Sequence, residues 1–296
     1  MRRIPVVDMA EALLHDGTAI PVLVSGDGRA LLIPADLKPR SESEAQTMRD
    51  WGGDPALGPT LVSALSQSYR VVAADYEGHR MAHPAPDTLT PENVAADFLA
   101  IADAAHADTF GYYGYSWLAL CGLQLAIRTN RLWALIMGGF PPLEGPYKSM
   151  LAVTRAAHSA AARSSEQSPA VNLPVEPGDW DAATIQTTEA QTRQFVTLYE
   201  ALQDFDDSTV ALARELPRLA FAGSADQIIY GPRWGDVTVR IGEPLAAHER
   251  ELIEAGWGVQ VLPALDHLSA MHSDVVVPLL QAWLGNVGRE QVGREQ

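Results

Sequence analysis

The chain has 296 residues, the upper edge of what one domain covers, and a globule of that size buries roughly 75% of its unfolded surface without disulfide staples. Hydrophobic residues at 47% and charged ones at 20% exclude a disordered or fibrous chain. With 21 Lys and Arg against 37 Asp and Glu, a formal charge of −16 repels polyphosphates and anionic lipid surfaces, so neither nucleic acid nor a membrane is an expected partner, and the single cysteine, Cys121, excludes an intramolecular disulfide and any cysteine-rich zinc site. Met1-Arg2-Arg3 has the charge that opens a signal peptide, but Ile4-Pro5-Val6-Val7-Asp8 ends before an apolar run of the needed length. No stretch approaches the roughly 18 apolar residues of a membrane span. The expectation is a cytoplasmic globule.

Two apolar runs, Ala19 to Val24 and Ala30 to Ile33, flank Ser25-Gly26-Asp27-Gly28-Arg29, whose turn chemistry predicts an opening hairpin. A helical segment from Pro59 to Gln67 precedes the β-branched run Arg70 to Asp75. Thr90-Pro91-Glu92 supplies an N-cap, a proline at the first helical position and an acid in the first turn, and Val94, Phe98, Ile101 and Ala105 then fall on one face. That helix leads into a strand from Thr109 to Tyr113, a helix from Leu118 to Arg128 and a strand from Ala134 to Met137. Strands from Leu219 to Ala222 and Val259 to Leu262 follow, with one helix from Glu243 to Ala255 between them. Strands alternating with helices predict a doubly wound, mostly parallel α/β sheet.

Residues 141–214 break this rhythm. They are rich in Ala, Ser and Pro, show helical patterns around Tyr147 to Ala161 and Thr188 to Leu202, and hold no convincing strand. The reading is a core of residues 1–140 and 215–285 with a small helical cap inserted at 141–214. Residues 286–296 contain a tandem polar pentamer, Val-Gly-Arg-Glu-Gln, too short and polar to bury a core, and are expected to form a frayed, disordered tail.

The chemistry concentrates at Gly114-Tyr115-Ser116-Trp117-Leu118, between a strand and an apolar helix. A nucleophilic serine on a sharp strand-to-helix turn needs small neighbours, and such a turn aims a helix N-terminus and the backbone N–H of Trp117 at a developing oxyanion. On this segment, and on Asp75-Tyr76-Glu77-Gly78-His79-Arg80, the chain resembles the α/β-hydrolase superfamily over about Gly17 to Leu284. It keeps the first Gly and the Ser of the family's Gly-x-Ser-x-Gly elbow and places Leu118 where the last Gly usually stands. The resemblance implies the α/β-hydrolase fold and the chain order Ser, acid, His. Asp226, beyond the strand and glycine turn Leu219 to Ser224, then matches the acid, and His267, after the last strand, matches the base. Glu144 is the reserve acid. Where the family has His-Gly after an early strand, this chain has Pro34-Ala35-Asp36, so the second oxyanion donor is expected from the amide of Ala35 or Asp36, beside that of Trp117.

Other candidates carry less. His79 and His83 read as hydrogen-bonded loop residues. His267 and His272 lack the four-residue spacing and intervening Glu of a zinc pair, so no metal is implied, and isolated glycines form no nucleotide fingerprint, so no cofactor is expected. Phe140, Tyr147 and Trp117 are candidate pocket or core aromatics. The resemblance therefore implies a cofactor-free serine hydrolase for a small or medium ester, thioester or lactone. Serine at the elbow separates the chain from the dehalogenase and epoxide-hydrolase branches, which place Asp there. Acyl transfer or perhydrolysis by the same residues, and a non-catalytic ligand-binding module, are the alternatives.

Overall fold

The computed structural model describes residues 7–165 and 187–294. In chain order the elements are β1 (Val7–Leu13), β2 (Ala19–Ser25), β3 (Ala30–Pro34), α1 (Glu42–Asp50), α2 (Leu57–Leu65), β4 (Arg70–Ala74), α3 (Tyr76–Ala82), α4 (Pro91–Ala104), β5 (Phe110–Tyr115), α5 (Trp117–Arg128) and β6 (Leu132–Gly138). Then come α6 (Tyr147–Ser165), α7 (Glu189–Ala201), β7 (Arg218–Gly223), β8 (Gln227–Tyr230), β9 (Val237–Arg240), α8 (Gly242–Ala247), α9 (Glu249–Glu254), β10 (Trp257–Leu262) and α10 (Ser273–Arg294).

Eight strands form one sheet in the order β1-β2-β4-β3-β5-β6-β7-β10, in which β2 alone runs against the others. All six residues of β5 and of β7 are buried, the mark of parallel strands covered on both faces. On one face Val94, Phe98 and Ile101 of α4 and Leu120 and Leu123 of α5 pack with Leu32, Tyr112 and Leu135. On the other, Leu61 and Leu65 of α2 meet Val276, Leu280 and Leu284 of α10 over Leu31, Val71 and Ile136. The sheet is thus wound on both sides, as expected from the alternation of elements.

Local signals act as they should. Thr90 caps α4 by accepting the Asn93 N–H with Pro91 in the first turn, and Thr188 and Gln191 close a reciprocal capping box at the start of α7. Three expectations need correction. The opening hairpin is β1 with β2, joined at Asp16-Gly17; β2 and β3 do not pair, because β4 lies between them. Ala30 to Ile33 are at most 7% exposed, so β3 lacks the solvent face of a hairpin arm and belongs inside the parallel sheet. The segment from Glu243 to Ala255 is two short helices, interrupted at His248 (φ −99°, ψ 11°). Finally, helical structure does not stop at residue 285: α10 continues to Arg294, and Val287 extends the buried stripe of Val276, Leu280 and Leu284. Residues 295 and 296 of the expected tail lie outside the described residues.

Within 141–214 the described residues form α6, α7 and a 3-10 turn at Asp207–Thr209; 166–186 lie outside the description. The two helices pack on each other. Side chains of α7 fasten it to the end of α3 and the loop that follows: Gln194 donates to the Arg80 carbonyl (3.1 Å) and accepts from the Ala85 N–H (3.1 Å), and Gln191 donates to the Met81 carbonyl (2.6 Å). Among the described residues no helix is long and apolar enough to cross a membrane, and no group of three or more His, Cys, Asp or Glu is placed to hold a metal ion.

Candidate active site

Ser116, Asp226, His267 and the Pro34-Ala35-Asp36 turn all follow the C-terminal ends of parallel strands, where loops from separate strands converge. Ser116 links β5 to α5 with φ 57° and ψ −131°, a conformation that non-glycine residues adopt at a cost of about 1–3 kcal/mol and that clusters at functional sites. The turn is tight enough that a β-carbon on Gly114 would stand 2.4 Å from the Leu118 carbonyl oxygen, so only glycine fits there. Tyr112 secures the same carbonyl by donating its hydroxyl at 2.8 Å. Leu118, in place of a second small residue, is buried in the core beneath the turn.

His267 is brought over Ser116 by the loop after β10. Its Nε2 lies 3.1 Å from Ser116 Oγ, and its Nδ1 lies 3.0 Å from each carboxylate oxygen of Asp226. Asp226 is 2% exposed, and its main chain is fixed where β8 and β9 close: the Asp226 carbonyl accepts the N–H groups of Ile241 (3.1 Å) and Gly242 (2.9 Å). A proton on Nδ1, facing the carboxylate, leaves Nε2 to accept from the serine hydroxyl, the geometry of an activated nucleophile. The neighbouring carboxylate of Asp266 is not hydrogen-bonded to the imidazole: it accepts from the Ser269 hydroxyl (2.6 Å) and N–H (2.8 Å), which hold its pKa below the usual carboxylate range.

Of the two amides expected as alternatives beside that of Trp117, the structure engages one and leaves the other. The Ala35 N–H donates to the Ala74 carbonyl at 3.1 Å as β3 leaves the sheet, so Ala35 is spent on strand pairing and is not a donor. The N–H of Asp36, and that of Trp117 at the first helical position of α5, make no hydrogen bond among the described residues. The carboxylate of Asp36 is occupied, accepting from the Lys38 N–H (2.9 Å) and from Arg40 (2.5 Å). The Asp36 carboxylate is therefore not free beside its own N–H.

Sequence reasoning missed Glu77. It follows the Asp75 cap of α3, beside the Trp117 side chain and near Asp36 and Asp75. Its side chain keeps contact with solvent, yet the protein crowded around it pushes its carboxyl above the usual range; Trp117 opposes that rise, and the charges of Asp75 and Asp36 add to it. An acid two residues after Asp75 was the available signal. The Trp117 ring lies 5.2 Å from Phe195 of α7 and 6.1 Å from Tyr76, so the helical insertion stands against the residue next to Ser116.

The remaining candidates fall elsewhere. Glu144 pairs with Nε2 of His248 at 3.2 Å, and with Glu251 on the other ring nitrogen it raises the His248 pKa, so it is no reserve acid for His267. His79 bonds Thr18 Oγ1 at 2.9 Å and its ring sits 4.9 Å from that of His83. His272 bonds the Gly52 carbonyl at 2.7 Å. Phe140 and Tyr147 are edge-to-face at 5.6 Å and buried, packed against the half-buried Phe205 at the base of α6.

No protein-family model and no curated protein matches the sequence. Solved structures do match. An enol-lactonase from Burkholderia xenovorans LB400 is similar at 20% identity, over 93% of this chain and 99% of that one, with TM-score 0.57. An epoxide hydrolase from Vigna radiata is similar at 13% identity, over 95% and 98%, with TM-score 0.60. A thermophilic esterase from Thermogutta terrifontis is similar at 15% identity, over 95% and 99%, with TM-score 0.56. Together with the sheet order and the elbow, these similarities give the class: the chain has the α/β-hydrolase fold.

Proposed function

We propose that this protein is a cofactor-free serine hydrolase that cleaves a small or medium carboxylic ester, thioester or lactone through an acyl-enzyme. The supporting observation is the unbroken line from Ser116 Oγ through His267 to the buried Asp226, with Ser116 held in a strained turn. In the proposed cycle Ser116 attacks the acyl carbonyl as Nε2 of His267 takes its proton. The amides of Trp117 and Asp36 receive the tetrahedral oxyanion, and the imidazolium is stabilised by Asp226 and protonates the leaving group. Water, deprotonated by the same imidazole, then releases the acid and frees Ser116. The helical insertion acts as a cap over this site, with Trp117 and Phe195 on its inner side.

Similar folds house both ester and epoxide chemistry, so the elbow residue carries the choice between them. Serine forms an acyl ester that an imidazole-activated water hydrolyses. Turnover of a panel of activated esters, thioesters and lactones by the purified protein, abolished in Ser116→Ala, is the expected result. Full esterase activity in Ser116→Ala contradicts it, and exclusive transfer to an added alcohol or peroxide would replace hydrolysis with acyl transfer by the same residues.

A further inference from the structure

Tyr115 immediately precedes Ser116, yet its side chain belongs to the His267 loop. Its hydroxyl donates to the main-chain carbonyl of His267 at 2.8 Å, and its ring lies 5.2 Å from the imidazole at 51°. No backbone N–H among the described residues donates to that carbonyl, so the phenol is its hydrogen-bonding partner.

The ring reaches His267 by crossing the end of β6, where two glycines stand. A β-carbon on Gly138 would lie 2.5 Å from Tyr115 Cδ2; one on Gly139 would lie 2.6 Å from Tyr115 Cε1 and 3.0 Å from His267 Cε1. Phe221 of β7 packs beside the ring at 5.9 Å, flanking the same Gly138. Tyr115 is 8% exposed, and burial, with the Asp226 carboxylate nearby, raises its pKa far above the usual phenol range, so it remains a donor at any working pH.

We propose that Tyr115 is a positioning residue: by fixing the main chain of His267, its hydroxyl holds the imidazole in line between Asp226 and Ser116, and Gly138-Gly139 is the gap that lets it do so. The kinetic consequence rests on the serine-hydrolase reading; the tether itself does not. The strand that presents the nucleophile and the loop that presents the base are thereby one mechanical unit. A loop anchored only through its neighbours would let the ring drift, and misplacement of about 1 Å lowers rates by as much as about 100-fold.

The test is Tyr115→Phe, which keeps the ring and deletes the hydroxyl, beside Tyr113→Phe, which makes the same deletion on the same strand at a buried residue that does not touch His267. Saturation kinetics of labelling by a small fluorophosphonate, followed by intact mass, separate the maximal rate from the half-saturating concentration. Proton NMR of the His267 Nδ1–H, assigned by its loss in His267→Gln, reports the imidazole without requiring activity. In Tyr115→Phe the maximal rate should fall about 10- to 100-fold at an unchanged half-saturating concentration, and the proton signal should shift or broaden, while Tyr113→Phe changes neither. A Tyr115→Phe rate within about twofold of wild type, with a superimposable signal, overturns the proposal. Wild-type protein that forms no adduct would contradict the hydrolase reading, and the NMR comparison would still decide the tether. Equal losses in both variants would show a general packing effect and also overturn it.

Discussion

Asp226 offers both carboxylate oxygens to one nitrogen of His267, each at 3.0 Å. A buried carboxylate so placed fixes the ring and its tautomer at once, and in the proposed cycle it would stabilise the positive imidazole formed as Ser116 attacks. Asp226→Asn keeps the shape but offers a donor where Nδ1–H needs an acceptor. The variant should fold normally and lose about 10⁴-fold in kcat on whichever ester the wild type turns over. Steady-state kinetics decide this, and a loss below about tenfold would show that Asp226 does not orient the base.

The second oxyanion donor separates an amide from a side chain. If the Asp36 N–H binds the oxyanion, Asp36→Ala keeps that N–H and should change kcat only slightly, whereas Asp36→Pro deletes it and should lower kcat by about 10²- to 10³-fold. Comparable losses in the two variants would point to the carboxylate and its Arg40 contact instead. Ala35 is not the position to vary, since its N–H pairs with Ala74 in the sheet.

Stability under acid should report the pair between α3 and the first hairpin. Arg80 is wholly buried and donates to both oxygens of Asp16, at 2.7 and 3.3 Å. Burial raises the Asp16 pKa, but hydrogen bonds from Arg80 and Thr18 outweigh it and leave the carboxyl well below its usual range. A depressed folded pKa means that this contribution is present above the unfolded carboxylate pKa and is lost as pH falls through the folded one. Asp16→Ala should therefore destabilise the protein by about 2–3 kcal/mol in urea titrations near neutrality, less than for a fully buried pair, because the carboxylate keeps some solvent contact. The difference from wild type should shrink on acidification. A difference that stays constant from neutral to strongly acid pH would contradict this account.

Much of this architecture was legible in the sequence, for local reasons. The Thr90-Pro91 cap, the apolar period of α4 and α5, and the glycine that permits the turn at Ser116 act within a few residues of one another. The order Ser116, Asp226, His267 came from the resemblance to the α/β-hydrolases, not from pattern alone; what the local sequence supplied was that each of the three follows a strand that ends in turn residues. What was not legible depends on distant partners. Whether β2 pairs with β3 or with β1 is settled by β4, which inserts between β2 and β3. Whether the Ala35 amide is free is settled by its register with Ala74. Only Ala45 of α1 is buried, so that helix offers no apolar stripe to read, and α10 hides its stripe behind Pro278 and three glycines. The hairpin of β8 and β9 was missed because its four-residue strands are exposed or half-buried over most of their length.

One measurement tests the central claim without knowledge of the substrate: intact-mass spectrometry of the folded protein after incubation with a small fluorophosphonate, run beside Ser116→Ala. Such a reagent reacts only where the nucleophile, the base and the oxyanion site act together. A single adduct mapped to Ser116 and missing from the variant is the predicted result. A well-folded wild type that forms no adduct, or an adduct that persists in Ser116→Ala, would contradict an activated serine and move the fold toward ligand binding.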